Sequence, residues 1–495
     1  MAEQGSLLKA TDISKSFAGV QALKGVELEI YPGEIHCLAG ENGCGKSTLI
    51  KIISGAYTPD SGTIMFDGHC YQKISPLEAI ASGIQVIYQD FAIFPNLSVM
   101  ENLAFNSELA AGRKLVDWKR FRRIAEEAVA KIGFSVDLEA KLADLSVAQK
   151  QLVAICRALM FNAKLIIMDE PTTSLTKREV QALFKVILDL QKQGIAILFV
   201  SHKLDEVFDI SERFTIFRNG EHVITGNTKD IDVKKFTYYM TGREFSDQHF
   251  EGERMEDKPV LEVKNLGFYQ HFQNLSFTLH RGEVLGITGL LDSGRSELPL
   301  TLFGLEQPTE GEIYVDGKLQ RFRSPQDAIA AKIAYVPEDR LSEGLFLPRS
   351  IGDNIVISEI DRLSHRGIID RKRFLAEIRR WVEELSVKTN NPDNAVQTLS
   401  GGNQQRIVLA KWLATEPQVL ILNGPTVGVD IGSKHDIHRF LHALAQKGMA
   451  IIVISDDLPE IISNCSRVLV MKNGRFVAQI DPKESSISAL SEAMM

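Results

Sequence analysis

The chain is written twice. GEIHCLAGENGCGKSTL at 33–49 returns in outline as GEVLGITGLLDSGRSEL at 282–298, which sets Lys46 opposite Arg295 at an offset of 249 residues. LSVAQKQLVAICRAL at 145–159 returns as LSGGNQQRIVLAKWL at 399–413, and LIIMDEPTTSL at 165–175 as VLILNGPTVGV at 419–429, both offset by 254. Landmarks kept in order at nearly one spacing mark a tandem duplication, so the chain must fold as two versions of one plan. The 495 residues leave ample length for a core in each.

The join shows as a change of composition. Residues 246–258, SDQHFEGERMEDK, are polar and mostly acidic and lack apolar periodicity. A fresh strand-like run, PVLEVKNLGF, follows. The predicted organisation is a first domain over 1–245, an acidic linker over 246–258 and a second domain over 259–495.

Each half reads as α/β. Short apolar runs rich in branched residues, 35–39, 165–168 and 195–200, have the length of buried strands in a mostly parallel sheet. Helical patterns lie between them: one over 47–54, and one over 118–132 with Ile124, Ala128 and Ile132 spaced for burial. The stretch 96–144 reads as a separate helical insert.

Composition narrows the function. Lys and Arg total 56 against 64 Asp and Glu, a net charge of −8, which argues against a broad basic surface for nucleic acid. Five scattered cysteines, Cys37, Cys44, Cys70, Cys156 and Cys465, form no C-x-x-C pair and point to a reducing compartment. The opening residues lack the apolar core of a signal peptide. No run approaches the ~18 apolar residues of a membrane span. These features predict a cytosolic protein that is anchored by something else if it works at a membrane.

The residues Gly40, Glu41, Asn42, Gly43, Cys44, Gly45, Lys46 and Ser47, with Thr48 after them, fit G-x-x-x-x-G-K-[ST] between a strand and a helix. Glycines let backbone N–H groups wrap a phosphate at the helix N-terminus. Lys46 neutralises the β- and γ-phosphates, and Ser47 offers a hydroxyl to Mg²⁺. The apolar run 165–168 ends in Asp169 and Glu170. There Asp169 can hold Mg²⁺ through water, and Glu170 can polarise an attacking water.

With 40–48, 88–89, 145–149, 165–171, 201–202 and LSGGNQQ at 399–405, the chain resembles the ATP-binding subunits of ATP-binding-cassette transporters. Its doubling, TGREF at 241–245 and YVPEDRLSEGL at 335–345 further resemble the fused two-cassette subunits of bacterial simple-sugar importers. The resemblance implies two tandem P-loop NTPase domains, each a mostly parallel sheet with a β-rich edge and a helical insert. ATP would lie between one half's phosphate loop and the other half's signature. Ser400, Gly401, Gly402 and Asn403 would then complete the first site, bringing helix N-terminal donors to the γ-phosphate. The resemblance also implies that Gln89 contacts Mg²⁺ and the water, His202 senses the γ-phosphate, and Asp430 lies in the loop communicating between halves. Phe17 takes the place of the adenine-stacking aromatic, and reads equally well as core.

The second site would be degenerate. Arg295 stands for the lysine, Asn423 and Gly424 for the acids, Glu338 for the glutamine and Asp456 for the histidine, and Val147 and Ala148 replace both signature glycines. Loss of a general base alone costs about 10²–10⁴ in rate, or about 3–5 kcal/mol. Replacement of both acids departs from the family's usual DEP tripeptide, so nucleotide binding and a purely structural role are both open for that half.

By resemblance, Phe91, Phe94, Leu97 and Met100 line a groove for a membrane-spanning permease subunit; the same residues also suit the core of the helical insert. The implied protein is peripheral at the cytoplasmic face of the inner membrane, with ATP and Mg²⁺ as cofactors. Its partners are permease subunits and, indirectly, an extracytoplasmic solute-binding protein, with room for two copies per transporter and no nucleic acid. Rival readings are a soluble twin-cassette ATPase of the ribosome or of nucleic-acid repair, and a nucleotide-gated regulatory module with little turnover.

Overall fold

The computed structural model describes residues 5–17, 20–88, 93–110, 115–133, 135–172, 175–201, 203–244, 250, 255–290 and 292–494. They form two compact units, Met1–Glu244 and Phe245–Met495.

In the first unit six strands stand in the order Glu221–Asn227, Arg213–Arg218, Ile35–Ala39, Ala196–Val200, Leu165–Asp169, Ile84–Ile87. The pairings are parallel except for the edge hairpin formed by the first two. All five residues of Ile35–Ala39 and of Ala196–Val200 are buried, as expected for strands covered on both faces. A four-stranded antiparallel sheet, ordered Val20–Ile30, Leu8–Phe17, Ser61–Phe66, His69–Tyr71, supplies the β-rich edge.

The second unit repeats this plan. Its main sheet runs Ile333–Val336, Val419–Asn423, Ala450–Ile454, Val284–Gly289, Arg467–Lys472, Arg475–Ile480, with a matching antiparallel sheet from Leu261–Phe268 to Lys318–Gln320. Turns repeat as well: Asp67 and Asp316 have φ of 50° and 49°, and Asn219 and Asn473 have 53° and 48°.

The helical insert of the first unit holds Val99–Ala110 and Trp118–Ala130. Its buried stripe is Phe121, Ala125 and Ala128, while Ile124 and Ile132 are only partly covered. Ala128 lies on the expected stripe and Ile124 and Ile132 pack at its edge, while Phe121 and Ala125 extend the buried face. Of the expected groove residues, Met100 is core, Leu97 is half-buried and Phe94 is 48% exposed. The buried Asn102 holds the Phe94 backbone from both sides, accepting from its N–H at 2.9 Å and donating to its carbonyl at 3.0 Å. Asn354 does the same for Phe346 in the second unit.

Within the stretch read as a linker, Phe250 is buried and stacks on His442 with ring centroids 4.0 Å apart. The Met255 N–H donates to the Arg281 carbonyl at 3.0 Å. These two residues pack on the second unit despite the polar run around them.

Candidate active site

The phosphate loop of the first unit leaves the buried end of Ile35–Ala39 and enters the helix Lys46–Ile53. Two of its glycines are obligatory. Gly40 has φ 151°, and a β-carbon there would collide with the Phe217 carbonyl and the Cys44 sulfur. Gly45 has φ 105°, and a β-carbon would lie 2.5 Å from Leu23 and 2.7 Å from the Ala22 carbonyl. Gly43 faces open space. Lys46 is buried, and its ammonium donates to the Gly40 carbonyl at 2.6 Å and the Glu41 carbonyl at 3.0 Å. A point charge is thus fixed at the mouth of the loop. Cys44 lines the loop with a buried thiol, its pKa raised by burial against the pull of Lys46.

Asp169 closes its strand beside this loop, near enough to the Ser47 hydroxyl for that group to favour its ionised form. Burial raises its pKa, and the charge of Glu170 adds to the rise, while Lys46, Lys51 and Ser47 oppose it. A desolvated carboxylate next to a hydroxyl and a second acid gains most from a hard cation, so these donors fit Mg²⁺. Glu170 is left-handed, with φ 48°, a conformation that costs a non-glycine residue on the order of 1–3 kcal/mol. Its N–H is bound to the Val200 carbonyl at 3.0 Å, which helps hold it there.

The loops around this pair rest on one buried acid that the sequence reading missed. Glu206 accepts from the Thr172 hydroxyl at 2.6 Å and the Ser201 hydroxyl at 2.9 Å, and pairs with Lys203 at 3.2 Å. The repeat carried the signal: Thr426, Ser455 and Glu460 stand at the 254 offset, with both hydroxyls 2.6 Å from Glu460. Gln89, His202 and Phe91 lie outside the described residues. Their chain neighbours Tyr88 and Ser201 follow strands on either side of Leu165–Asp169.

Phe17 is 40% exposed and meets the Tyr57 ring edge-on, with centroids 5.3 Å apart. Its exposure sets aside the core alternative, and the Lys15 ammonium lies over the ring, 5.5 Å from its centroid.

The two signatures differ in how they spend their serine. Ser146 caps its own helix, Val147–Leu159, accepting from the Gln149 N–H at 3.3 Å in a full capping box. Ser400 makes no such cap to the helix Gly401–Leu413; its hydroxyl instead accepts from Asn403 at 2.9 Å. The N-terminal donors of the second helix are left for another acceptor. Both glycines there are also packing requirements. A β-carbon on Gly402 would lie 2.5 Å from the Ser433 β-carbon, and one on Gly401 would lie 2.8 Å from the Arg340 guanidinium.

The second phosphate loop carries different chemistry. Arg295 is buried and paired with Asp456 at 3.1 Å, so the residue in the histidine position meets the residue in the lysine position. Asn423 lies beside the Tyr335 hydroxyl, whose pKa burial pushes up to about 12. Gly424 keeps the twist of Glu170, with φ 56°. A cavity of about 500 Å³ lined by Ser296, Tyr335, Glu338 and Asn423 occupies the region corresponding to Ser47 and the acid pair.

A family profile described as ABC transporter matches residues 23–173 and again 272–427. The chain belongs to this family. Its two units are ABC-type P-loop cassettes, and the two matches coincide with the two copies of the repeat. Among curated relatives, the ribose import ATP-binding protein RbsA of Bacillus licheniformis is 40% identical over 97% of each chain. The protein of the same name in Bacillus subtilis is 38% identical over 97% of each. Ribose import ATP-binding protein RbsA 2 of Rhizobium johnstonii is 41% identical over 99% of this chain and 95% of its own.

Proposed function

We propose that the chain is the ATP-hydrolysing subunit of an importer for a simple sugar or sugar-like solute, with one hydrolytic and one non-hydrolytic site. The observation that carries this is the division of parts. Lys46, Ser47, Asp169 and strained Glu170 are gathered in the first unit, and a serine-glycine signature with uncommitted helix donors is in the second. Import of a sugar is supported by relatives of nearly equal length named for ribose import.

On this reading each group has a part in hydrolysis. Amides of 40–48 and the Lys46 ammonium cradle the β- and γ-phosphates, and Ser400, Gly401, Gly402 and Asn403 bring a second set of donors to the γ-phosphate. Mg²⁺, held by Ser47 and by Asp169 through water, with Gln89 nearby, would neutralise charge developing on the phosphate oxygens. Glu170 accepts a proton from the attacking water, and His202 contacts the γ-phosphate. The products are ADP and inorganic phosphate. In the second cassette, Asn423 and Gly424 supply neither an anionic metal ligand nor a base.

No helix among the described residues is long and apolar enough to cross a membrane. The reading places the chain on the cytoplasmic face of the inner membrane, docked to permease subunits through a surface that includes exposed Phe94. An extracytoplasmic binding protein and the permease choose the solute. The decisive experiment reconstitutes the chain with its permease and binding protein in vesicles and follows labelled ribose and related sugars. ATP-dependent accumulation that Glu170→Gln abolishes is expected; hydrolysis indifferent to permease and binding protein would overturn the reading.

A further inference from the structure

In the second cassette, the segment after Ile333–Val336 is clamped at two points, to the 427–430 loop and to the signature helix. Its first point is Arg340. The guanidinium donates to the Val427 carbonyl at 2.6 Å and the Gly428 carbonyl at 3.1 Å, two consecutive acceptors just before Asp430. The same group lies against Gly401, where only the missing side chain makes room for it. Its second point is Lys411 of the signature helix, a buried lysine whose ammonium donates to the Gly344 carbonyl at 2.6 Å.

Between these points runs Arg340–Gly344, a π-helical turn. Such turns are rare and cluster at functional sites. Asp339 caps it, accepting from the N–H groups of Leu341 and Ser342 and from the Ser342 hydroxyl at 2.7 Å. The cavity of about 500 Å³ borders Asp339, Arg340, Leu341 and Glu343 and also Val427 and Gly428, so the turn and the loop it is bonded to share one unpacked space. Asp430 in turn accepts from the Ser433 N–H and hydroxyl at 2.8 and 2.9 Å, and Ser433 packs on Gly402. Arg340 therefore touches the first signature glycine directly and reaches the second through the loop it holds.

We propose that Arg340 is a positioning residue for ATP hydrolysis: it fixes Ser400, Gly401, Gly402 and the 427–430 loop relative to the segment following Ile333–Val336. This rests on the reading that the second cassette's signature completes the ATP held by 40–48. The segment corresponds in the repeat to the one after Gln89, assigned to the permease groove. Displacement of that segment would thus be carried to the signature through a guanidinium spanning two carbonyls, a bidentate geometry a lysine cannot reproduce.

The test uses the full chain assembled with its permease, measuring ATP turnover and, separately, affinity for a fluorescent ATP analogue. Arg340→Met should lower kcat about 10- to 100-fold, the scale expected when a reacting group is misplaced by about 1 Å. Nucleotide affinity should stay within about twofold, because Lys46 and its loop are untouched. Arg340→Lys keeps the charge and one donor, so it should regain part of the loss, and it guards against a folding failure in the methionine variant. A kcat within twofold of the parent in Arg340→Met, or a loss of turnover that tracks nucleotide affinity, overturns the proposal. Ser400→Arg separates the two levels. If it leaves turnover intact, the signature reading itself fails; if it stops turnover while Arg340→Met does not, only the role of Arg340 fails.

Discussion

The two phosphate loops sit on the same strand-to-helix turn and meet different charges. In the first, Lys46 is held by the loop's own carbonyls, so its positive charge is solvated by dipoles and reaches the Asp169 carboxylate beside the loop. In the second, Arg295 is bound to Asp456, which puts an internal anion at the cation a phosphate would seek. The scaffold beneath is unchanged, since the threonine, serine and glutamate that tie the loops together recur as Thr426, Ser455 and Glu460. On the proposed reading, duplication has kept the parts that hold shape and released those that do chemistry. Packing is constrained in both cassettes, whereas catalysis needs one complete set of groups.

The comparison breaks first in kinetics. Glu170→Gln should reduce turnover by about 10²–10⁴, the range for loss of a general base, and Lys46→Ala by about 10²–10³ through lost charge stabilisation. Arg295→Ala should change turnover less than about threefold on the same scale. Steady-state ATPase assays on the permease complex decide it. If Arg295→Ala matched Lys46→Ala, the two loops would be equal contributors and the asymmetry would be lost.

Much of this asymmetry was legible in the sequence, because the repeat lets each motif be read against its own copy. The strand 35–39 was found to the residue, and Arg295, Asn423, Gly424 and Asp456 stand where the alignment puts them. What stayed hidden depends on side-chain direction. The burial stripe of Trp118–Ala130 is centred on Phe121, Ala125 and Ala128, with Ile124 and Ile132 at its edge, a choice that periodicity alone does not make when apolar residues crowd one face. The two signature serines occupy the same helix position and differ only in which hydrogen bond they choose. Arg340 escaped notice because its partners are backbone carbonyls, which no residue pattern announces.

A smaller effect separates the two scaffolds by acid. Burial alone would raise the pKa of Glu460, yet hydrogen bonding and charge from His438, with Lys434 and Ser455, hold it at about 2 against an ordinary 4.5. Its folded pKa is depressed, so the stabilisation, on the order of 3 kcal/mol, is full above about 4.5 and is lost as pH falls toward 2. His442, pushed down to about 4 by burial and by His438, acts in the same direction, since the unfolded chain binds its proton first. Calorimetry between pH 6 and 3 should show the transition of the second cassette dropping. His438→Gln should lower that transition at neutral pH and flatten its acid dependence. An unchanged acid slope would remove Glu460 from the account.

The smallest effect concerns the twist shared by Glu170 and Gly424, whose φ values are 48° and 56°. Glycine takes this conformation freely, whereas a glutamate is strained by on the order of 1–3 kcal/mol. The entropy that glycine adds to the unfolded chain returns about 0.4–1 kcal/mol of that. Glu170→Gly should therefore abolish hydrolysis while leaving the first cassette as stable as before, or more stable by about 1 kcal/mol. Gly424→Ala should go the other way by a similar amount, because its new β-carbon would lie 2.9 Å from Val427 and 3.0 Å from Glu338. Thermal midpoints of the two variants thus diverge in sign. Should Glu170→Gly instead destabilise its cassette by more than about 1 kcal/mol, the carboxylate is held by contacts that outweigh the strain. The backbone of the first site would then be relaxed, and Gly424 would mark a lost side chain rather than a relieved one.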